Sequence, residues 1–420
     1  VKIAFFIPEY SPRVTSGLGR YAENICRAIR NRGHELTVFT MNDGTLKTSE
    51  VLNGVSVHRP LLVDGGTILP EVLTMQHLLR LSTTSRYFND VLIYNILSAA
   101  KCVNELVRKE GKSFDILCAH NWQSAIAGSI IKEETGLPFV FHLHAIEVDR
   151  MTLNEATVIR SLEETAAQLA DRVVTVCYPL HEYLIRHGFD TTKLQVCWNA
   201  VNLATHDPAK LSGEAIRALR RRYGLDEEER MLLFVGDLAQ MVDFHILLEA
   251  MRIVSQQHPE AKLVLLGRGE CAHRISQLIT ELDLEAQVKT RFESVTEAER
   301  KLHYGAAEMV VLTSLRGPCS IISLEAMAMQ KPVILGSKGF CSRCDHVVTS
   351  GRDQTGVLTD GRDPRELAWA MLQLLEDRAG AAEMGARGRR RVMTYRTWDE
   401  VAAQTLAIYE DAIRANQGSG

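Results

Sequence analysis

Short runs of continuous apolar, β-rich residues alternate with helical patterns along the whole chain, and this alternation limits the fold more than any other feature. Strands without a polar face must be covered on both sides, and intervening helices supply the cover. The pattern therefore predicts an α/β protein with parallel sheets. Predicted strands of the first half are Lys2–Ile7, Glu35–Thr40, Ile116–Ala119, Phe139–His144, Arg172–Val176 and Leu194–Cys197. Those of the second half are Met231–Val235, Lys262–Leu266, Met309–Leu312 and Pro332–Leu335. At 420 residues the chain has room for two doubly wound units. The stretch 203–230 is the expected boundary, because His206-Asp207-Pro208-Ala209 and the charged helical run Glu214–Tyr223 precede the second series of strands.

Charge and cysteine usage exclude several classes. Lys and Arg number 48 against 52 Asp and Glu, for a net charge of −4, so the overall basic field of a nucleic-acid binder is absent. No apolar run approaches the roughly 18 residues of a membrane span, and no basic leader precedes the first strand. Nine scattered cysteines suit a reducing compartment, so a cytoplasmic protein is expected. The lone pair Cys341-x-x-Cys344 has no second pair beside it and reads as ordinary thiols, and no metal is expected.

In doubly wound units ligands bind at the carboxyl ends of strands, so the motifs are read there. The first strand runs into Ser16-Gly17-Leu18-Gly19, where small residues let backbone amides at a helix start approach an anion. A plain strand-to-helix turn fits the same residues. The fourth strand ends in His142-Leu143-His144, with both imidazoles on one side by alternation. Each reads equally as a core histidine, and metal binding would need further ligands at a spacing the sequence does not provide. In the second half Gly236 and Gly267 end two strands. A helix opening near Ser320 and Ile321 offers free amides to a phosphate, with Glu325 placed to accept from sugar hydroxyls. The run Arg387–Arg391 reads as a solvated helix face.

These motifs, in this order, resemble the retaining, sugar-nucleotide-dependent glycosyltransferases of family 4, especially the glycogen-synthase-like branch. The likeness rests on Ser16-Gly17-Leu18-Gly19, His120-Asn121-Trp122, His142-Leu143-His144, Trp198-Asn199-Ala200-Val201-Asn202, Leu266-Gly267-Arg268-Gly269-Glu270 and Leu324-Glu325-Ala326-Met327-Ala328-Met329. It implies the GT-B fold, two Rossmann-like doubly wound parallel-sheet domains facing a cleft. The expected domains are 1–203 on the acceptor side and 204–394 on the nucleotide-sugar side. The segment 395–420 is expected to be a helix returning toward the first domain. The resemblance further implies His144 as the catalytic residue, and Gly17, Gly236, Gly267, Ser320, Ile321 and Glu325 as donor-binding. It implies no cofactor.

The chain departs from the family at one address. Where the family reads G-R-L-x-x-x-K-G, this sequence has Gly236-Asp237-Leu238-Ala239-Gln240-Met241-Val242-Asp243. Asp237 replaces the arginine and Val242 the lysine that neutralise the donor diphosphate. In the E-P-F-G-x-x-x-L-E stretch the second glutamate survives as Glu325, and the first becomes Gly317. Losing two charge-assisted hydrogen bonds costs about 3–6 kcal/mol, roughly two to four powers of ten in rate. Two readings stand. One is a hexosyltransferase using a nucleoside-diphosphate sugar and an unknown acceptor, weakened by these replacements, with Arg268 and Arg316 as nearby substitutes. The other is a catalytically silent homologue that serves as a binding or regulatory partner, for example of an active paralogue.

Overall fold

The computed structural model describes residues 1–14, 16–62, 85–146, 153–238, 242–293, 295–313, 321–337, 345–395 and 397–418. The chain divides into two compact units, Val1–Trp198 with Trp398–Gly420, and Asn199–Thr397. Val201 and Leu203 pack with the core of the second unit, which draws the division to the near side of those residues.

The first unit is built on an eight-stranded sheet in the order β3-β4-β2-β1-β5-β6-β7-β8. Its strands are β1 (Lys2–Phe6), β2 (Glu35–Phe39), β3 (Ser49–Leu52), β4 (Val55–His58), β5 (Ile116–His120), β6 (Phe139–Leu143), β7 (Arg172–Thr175) and β8 (Leu194–Val196). Every pairing is parallel except β3 with β4. That hairpin was not among the expected strands. Asn53 and Gly54 turn it with φ of 49° and 79°, the left-handed pair that a two-residue hairpin loop requires. Ile3, Phe5, Ile116, Leu117, Phe139 and Phe141 are fully buried, as strands covered on both faces must be.

The last helix, Trp398–Gln417, belongs to this first unit. Asp399 takes a two-pronged bond from Arg32, Asp411 pairs with Arg172, and the Thr405 hydroxyl lies 3.3 Å from the Cys197 sulfur.

The second unit has a wholly parallel six-stranded sheet, β11-β10-β9-β12-β13-β14. Its strands are β9 (Arg230–Val235), β10 (Ala261–Leu266), β11 (Val288–Arg291), β12 (Met309–Leu312), β13 (Val333–Ser337) and β14 (Gly356–Asp360). Alternate residues feed two separate cores. Leu232, Phe234, Leu263, Leu265 and Val311 face one, against helices Phe244–Gln257 and Pro364–Glu376. Met231, Leu233, Val264, Leu266 and Val310 face the other, against Glu297–Ala306 and Ile321–Ala328. This period of two, apolar on both faces, is what the continuous apolar runs encode.

The arginine run does not form a solvated face. Arg389 reaches the carbonyls of His206 and Ala328 and the Asp207 carboxylate, while Arg387 and Arg391 bond the carbonyls of Gln354, Asp345 and His346. Arg390 alone of these four is exposed, pairing with Glu383. Carbonyls left over at loops and helix ends need donors, and long guanidinium arms supply them.

Candidate functional site

Each sheet reverses direction of growth once, between β1 and β5 in the first unit and between β9 and β12 in the second. Loops leaving these strands part to opposite faces there, so a crevice opens at their carboxyl ends. The motifs fall at both switch points.

In the first unit β1 leads to the helix Gly17–Asn31. The Ser16 hydroxyl caps it, accepting from the amides of Leu18 (3.2 Å) and Gly19 (3.4 Å). Glu9 in turn accepts from the Ser16 amide and hydroxyl, both at 2.9 Å. The helix start thus already carries a carboxylate of the chain itself. Gly19 is the more tightly packed glycine, because a Cβ there would lie 2.7 Å from the Glu9 carboxylate and 3.2 Å from the Val14 side chain, which would have to give way. At Gly17 a Cβ would meet nothing nearer than 3.9 Å. Sequence reading singled out Gly17 and missed Glu9.

Three histidines meet at the ends of β5 and β6. The parallel register sets His120 opposite His142, and their rings stack at 4.4 Å. His144 follows just past β6, and its Nε2 lies 2.9 Å from His120 Nδ1. Asn121 locks the two strand ends together. With φ at 56°, its amide donates to the His142 carbonyl (2.8 Å) and its side-chain oxygen accepts from the His144 amide (2.7 Å). Asparagine tolerates that left-handed backbone better than most residues, which explains its place between His120 and Trp122. His142 Nε2 reaches the Tyr409 hydroxyl at 3.0 Å, and Tyr21 packs edge-on against His144 at 4.4 Å.

His120 and His142 are buried and His144 is half-buried. Burial pushes the imidazole pKa of His120 and His142 well down, the neighbouring imidazoles adding to it, and that of His144 down to about 3. All three are neutral near pH 7. A neutral ring gives His144 a lone pair with which to accept a hydrogen bond or a proton.

In the second unit the glycines of the loop after β10 are required by close approach. A Cβ on Gly267 would fall 1.8 Å from the Gly236 carbonyl oxygen, and one on Gly269 2.3 Å from that of Leu238. The two loops are tied by the Leu238 amide to the Arg268 carbonyl at 2.9 Å. Asp237 is exposed at this turn. Val242 packs against the apolar core beside Phe244 instead of presenting a polar tip, and Asp243 caps the helix that follows.

Glu325, on the helix Ile321–Ala328, is 2% exposed. Its carboxylate accepts from Arg300 Nε (2.9 Å), Arg300 Nη2 (3.1 Å) and the Tyr304 hydroxyl (2.9 Å). His206 Nε2 lies 3.8 Å away. A carboxylate has about four lone-pair sites, and at least three are committed to the protein. Ile321 is buried at the start of the same helix. Gly317, Ser320, Arg316, Cys341 and Cys344 lie outside the described residues.

The family model for "Glycosyl transferases group 1" matches residues 215–391, and that for "Glycosyltransferase Family 4" matches 15–205. Between them they cover nearly all of both units. The chain is a family-4-like glycosyltransferase of the GT-B fold. Among curated relatives, an uncharacterised glycosyltransferase of Methanocaldococcus jannaschii is 26% identical over 98% of this chain and 99% of its own. Sucrose-phosphate synthase from Thermosynechococcus elongatus is similar in fold, with a TM-score of 0.78, 21% identity and 99% of each chain covered. So is the Anabaena protein HepE solved in complex with UDP-glucose, with a TM-score of 0.70, 20% identity, and 97% and 99% covered. No described helix of this glycosyltransferase is long and apolar enough to cross a membrane.

The sequence singled out His142 and His144, but assigned His120 no partner in space. The signal was available, since His120 directly follows the predicted strand Ile116–Ala119 and His142 lies in the next, Phe139–His144, and neighbouring parallel strands bring such positions side by side. The Arg300 clasp on Glu325 had no such signal, because the two residues stand on different helices.

Proposed function

We propose that this glycosyltransferase moves a hexose from a nucleoside-diphosphate sugar to an acceptor with retention at the anomeric carbon, and that it does so slowly. The observation that carries the reading is Asp237. It is exposed at the turn after β9, where the resemblance puts the arginine that neutralises a leaving diphosphate. A carboxylate there opposes the charge that develops as the sugar departs, and stabilising such charge is usually the largest part of catalysis. Val242, folded against the core, supplies no ammonium group in compensation. The other elements of the reaction persist. His144 follows β6 with a neutral, half-buried ring, and the paired loops at Gly236 and Gly267 keep their close approach. The likeness to HepE, solved with UDP-glucose, supports a nucleotide-sugar donor.

Incubation of the chain with a panel of nucleoside-diphosphate hexoses tests this, reading release of the nucleoside diphosphate and binding by calorimetry. Weak binding with slow release is expected, and the anomeric configuration of any product reports retention. Complete absence of binding would replace this reading with that of a silent homologue acting as a partner. One observation favours that alternative. Glu325, which the resemblance assigns to the ribose hydroxyls, is clasped by Arg300 and Tyr304.

A further inference from the structure

We propose that Tyr178, Trp198 and His181 form a sugar-ring subsite in the first unit, and that the acceptor is a carbohydrate bearing a pyranose. Its role as acceptor rests on the proposed hexose transfer, whereas the binding of a sugar ring does not. Beyond β7 the chain stays extended, with Cys177 at φ −165° and ψ 157°, and the helix Tyr178–Arg186 begins at once with Pro179 in its first turn. Beside it the Cys197 amide donates to the Thr175 carbonyl at 2.8 Å, so the ladder of β7 and β8 runs one residue past β8. Two neighbouring strand exits thus deliver Tyr178 and Trp198 to one place. Their ring centroids are 5.8 Å apart and their planes meet at 70°, as two sides of a corner. His181 follows Tyr178 by three residues along the helix, with its ring 6.4 Å away and inclined at 77°. Tyr178 is 50% exposed, and Trp198 and His181 are half-buried.

A single exposed aromatic is ordinary surface, but rings gathered at the exits of two adjacent strands mark a place where something binds. The face of an aromatic ring carries the negative side of its quadrupole. The C–H groups on the flat face of a pyranose are weakly positive, so the two surfaces attract while the sugar hydroxyls stay with water. Tyrosine and tryptophan join an apolar body to a polar tip, the same division that a sugar ring has between its face and its rim. Position assigns the sugar to the acceptor. In the order β6-β7-β8 the exits of β7 and β8 lie on the same edge of the sheet as that of β6, which His144 follows. Strands stand about 4.8 Å apart, so the two exits lie about 5 and 10 Å along that edge from the exit of β6. A ring held in the corner therefore has its own hydroxyls, or those of the next ring of a short glycan, within reach of the end of β6.

The test uses the full chain without any donor, titrated with maltotetraose, cellotetraose, mannotetraose and chitotetraose and followed by saturation-transfer NMR. Binding of at least one of them is expected, with transfer strongest to the C–H protons of one ring face. Tyr178→Ala should weaken that binding by about tenfold, the loss of one stacked ring. Trp198→Ala should do the same, while Trp198→Phe, which keeps a flat ring, should retain most of it. The control Trp369→Ala, at an exposed tryptophan of the second unit, should change nothing. If Trp198→Ala does not fold, Tyr178→Ala at the half-exposed position decides alone. Absence of binding by all four sugars, or binding unchanged in Tyr178→Ala, would overturn the proposal. Binding of octanoate in their place would also overturn it, by assigning the corner to an acyl chain. If a sugar binds and hexose transfer is not found, the subsite stands and its acceptor role falls. If transfer is found and no sugar binds, the subsite falls alone.

Discussion

Single residues at the two switch points divide into those the fold demands and those it leaves free. Gly267 is demanded. A methyl group there would sit 1.8 Å from the Gly236 carbonyl oxygen, so Gly267→Ala must part the loops after β9 and β10. We expect it to cost about 3 kcal/mol or more, against less than about 1 kcal/mol for Gly17→Ala, where the space is open. Urea unfolding of both variants checks this, and equal losses would remove the steric reading of Gly267. Arg300 is demanded for a different reason. It satisfies the Glu325 carboxylate in a buried setting, and removing one partner of such a pair typically costs about 3–5 kcal/mol. Arg300→Ala should therefore destabilise strongly, while the double change Arg300→Met with Glu325→Leu should recover most of the loss. No recovery would mean that Arg300 acts through its packing rather than by satisfying that carboxylate.

At the scale of elements, the strand ends that gather the histidines make stability depend on pH. His144 has its pKa lowered from 6.5 to about 3, so the folded protein stays neutral there while the unfolded chain takes up a proton below about pH 6.5. Its contribution is complete above that pH and is lost progressively as the pH falls toward 3. The slope in this window is up to about 1.4 kcal/mol per pH unit for each such histidine. Unfolding midpoints between pH 7 and 4 should fall steeply, and His144→Asn should flatten the curve. An unchanged slope in the variant would show that His144 is charged in the folded protein.

The same elements show what a sequence discloses. All ten predicted strands are present, since continuous apolar runs have few other places to go. The hairpin Ser49–His58 escaped although Asn53-Gly54 announced its turn, because Ser49, Glu50 and Ser56 interrupt the apolar pattern on an edge that water reaches. Strands β11 and β14 are edge strands with the same difficulty, carrying Lys289, Arg291 and Asp360. Of the candidate site, the positions of Gly236, Gly267 and His144 at strand ends were legible, because apolar runs stop there. Glu9 at the first helix start and Arg300 on Glu325 were not, since both are contacts between separate elements.

For the whole molecule, the two sheets and their covering helices are those of a glycosyltransferase, and on the proposed reading the departures lie where a donor diphosphate would be neutralised. If the three positions act on one developing charge, as proposed, their effects should not add. Restoring Asp237→Arg, Val242→Lys and Gly317→Glu together should exceed the product of the single reversions. The decisive measurement is the rate of nucleoside-diphosphate release from the preferred donor by the unmodified chain and by this triple variant. A slow unmodified chain and a gain of about tenfold or more in the triple variant are expected. Fast turnover by the unmodified chain, with no gain on reversion, would contradict the claim that these replacements weaken the enzyme.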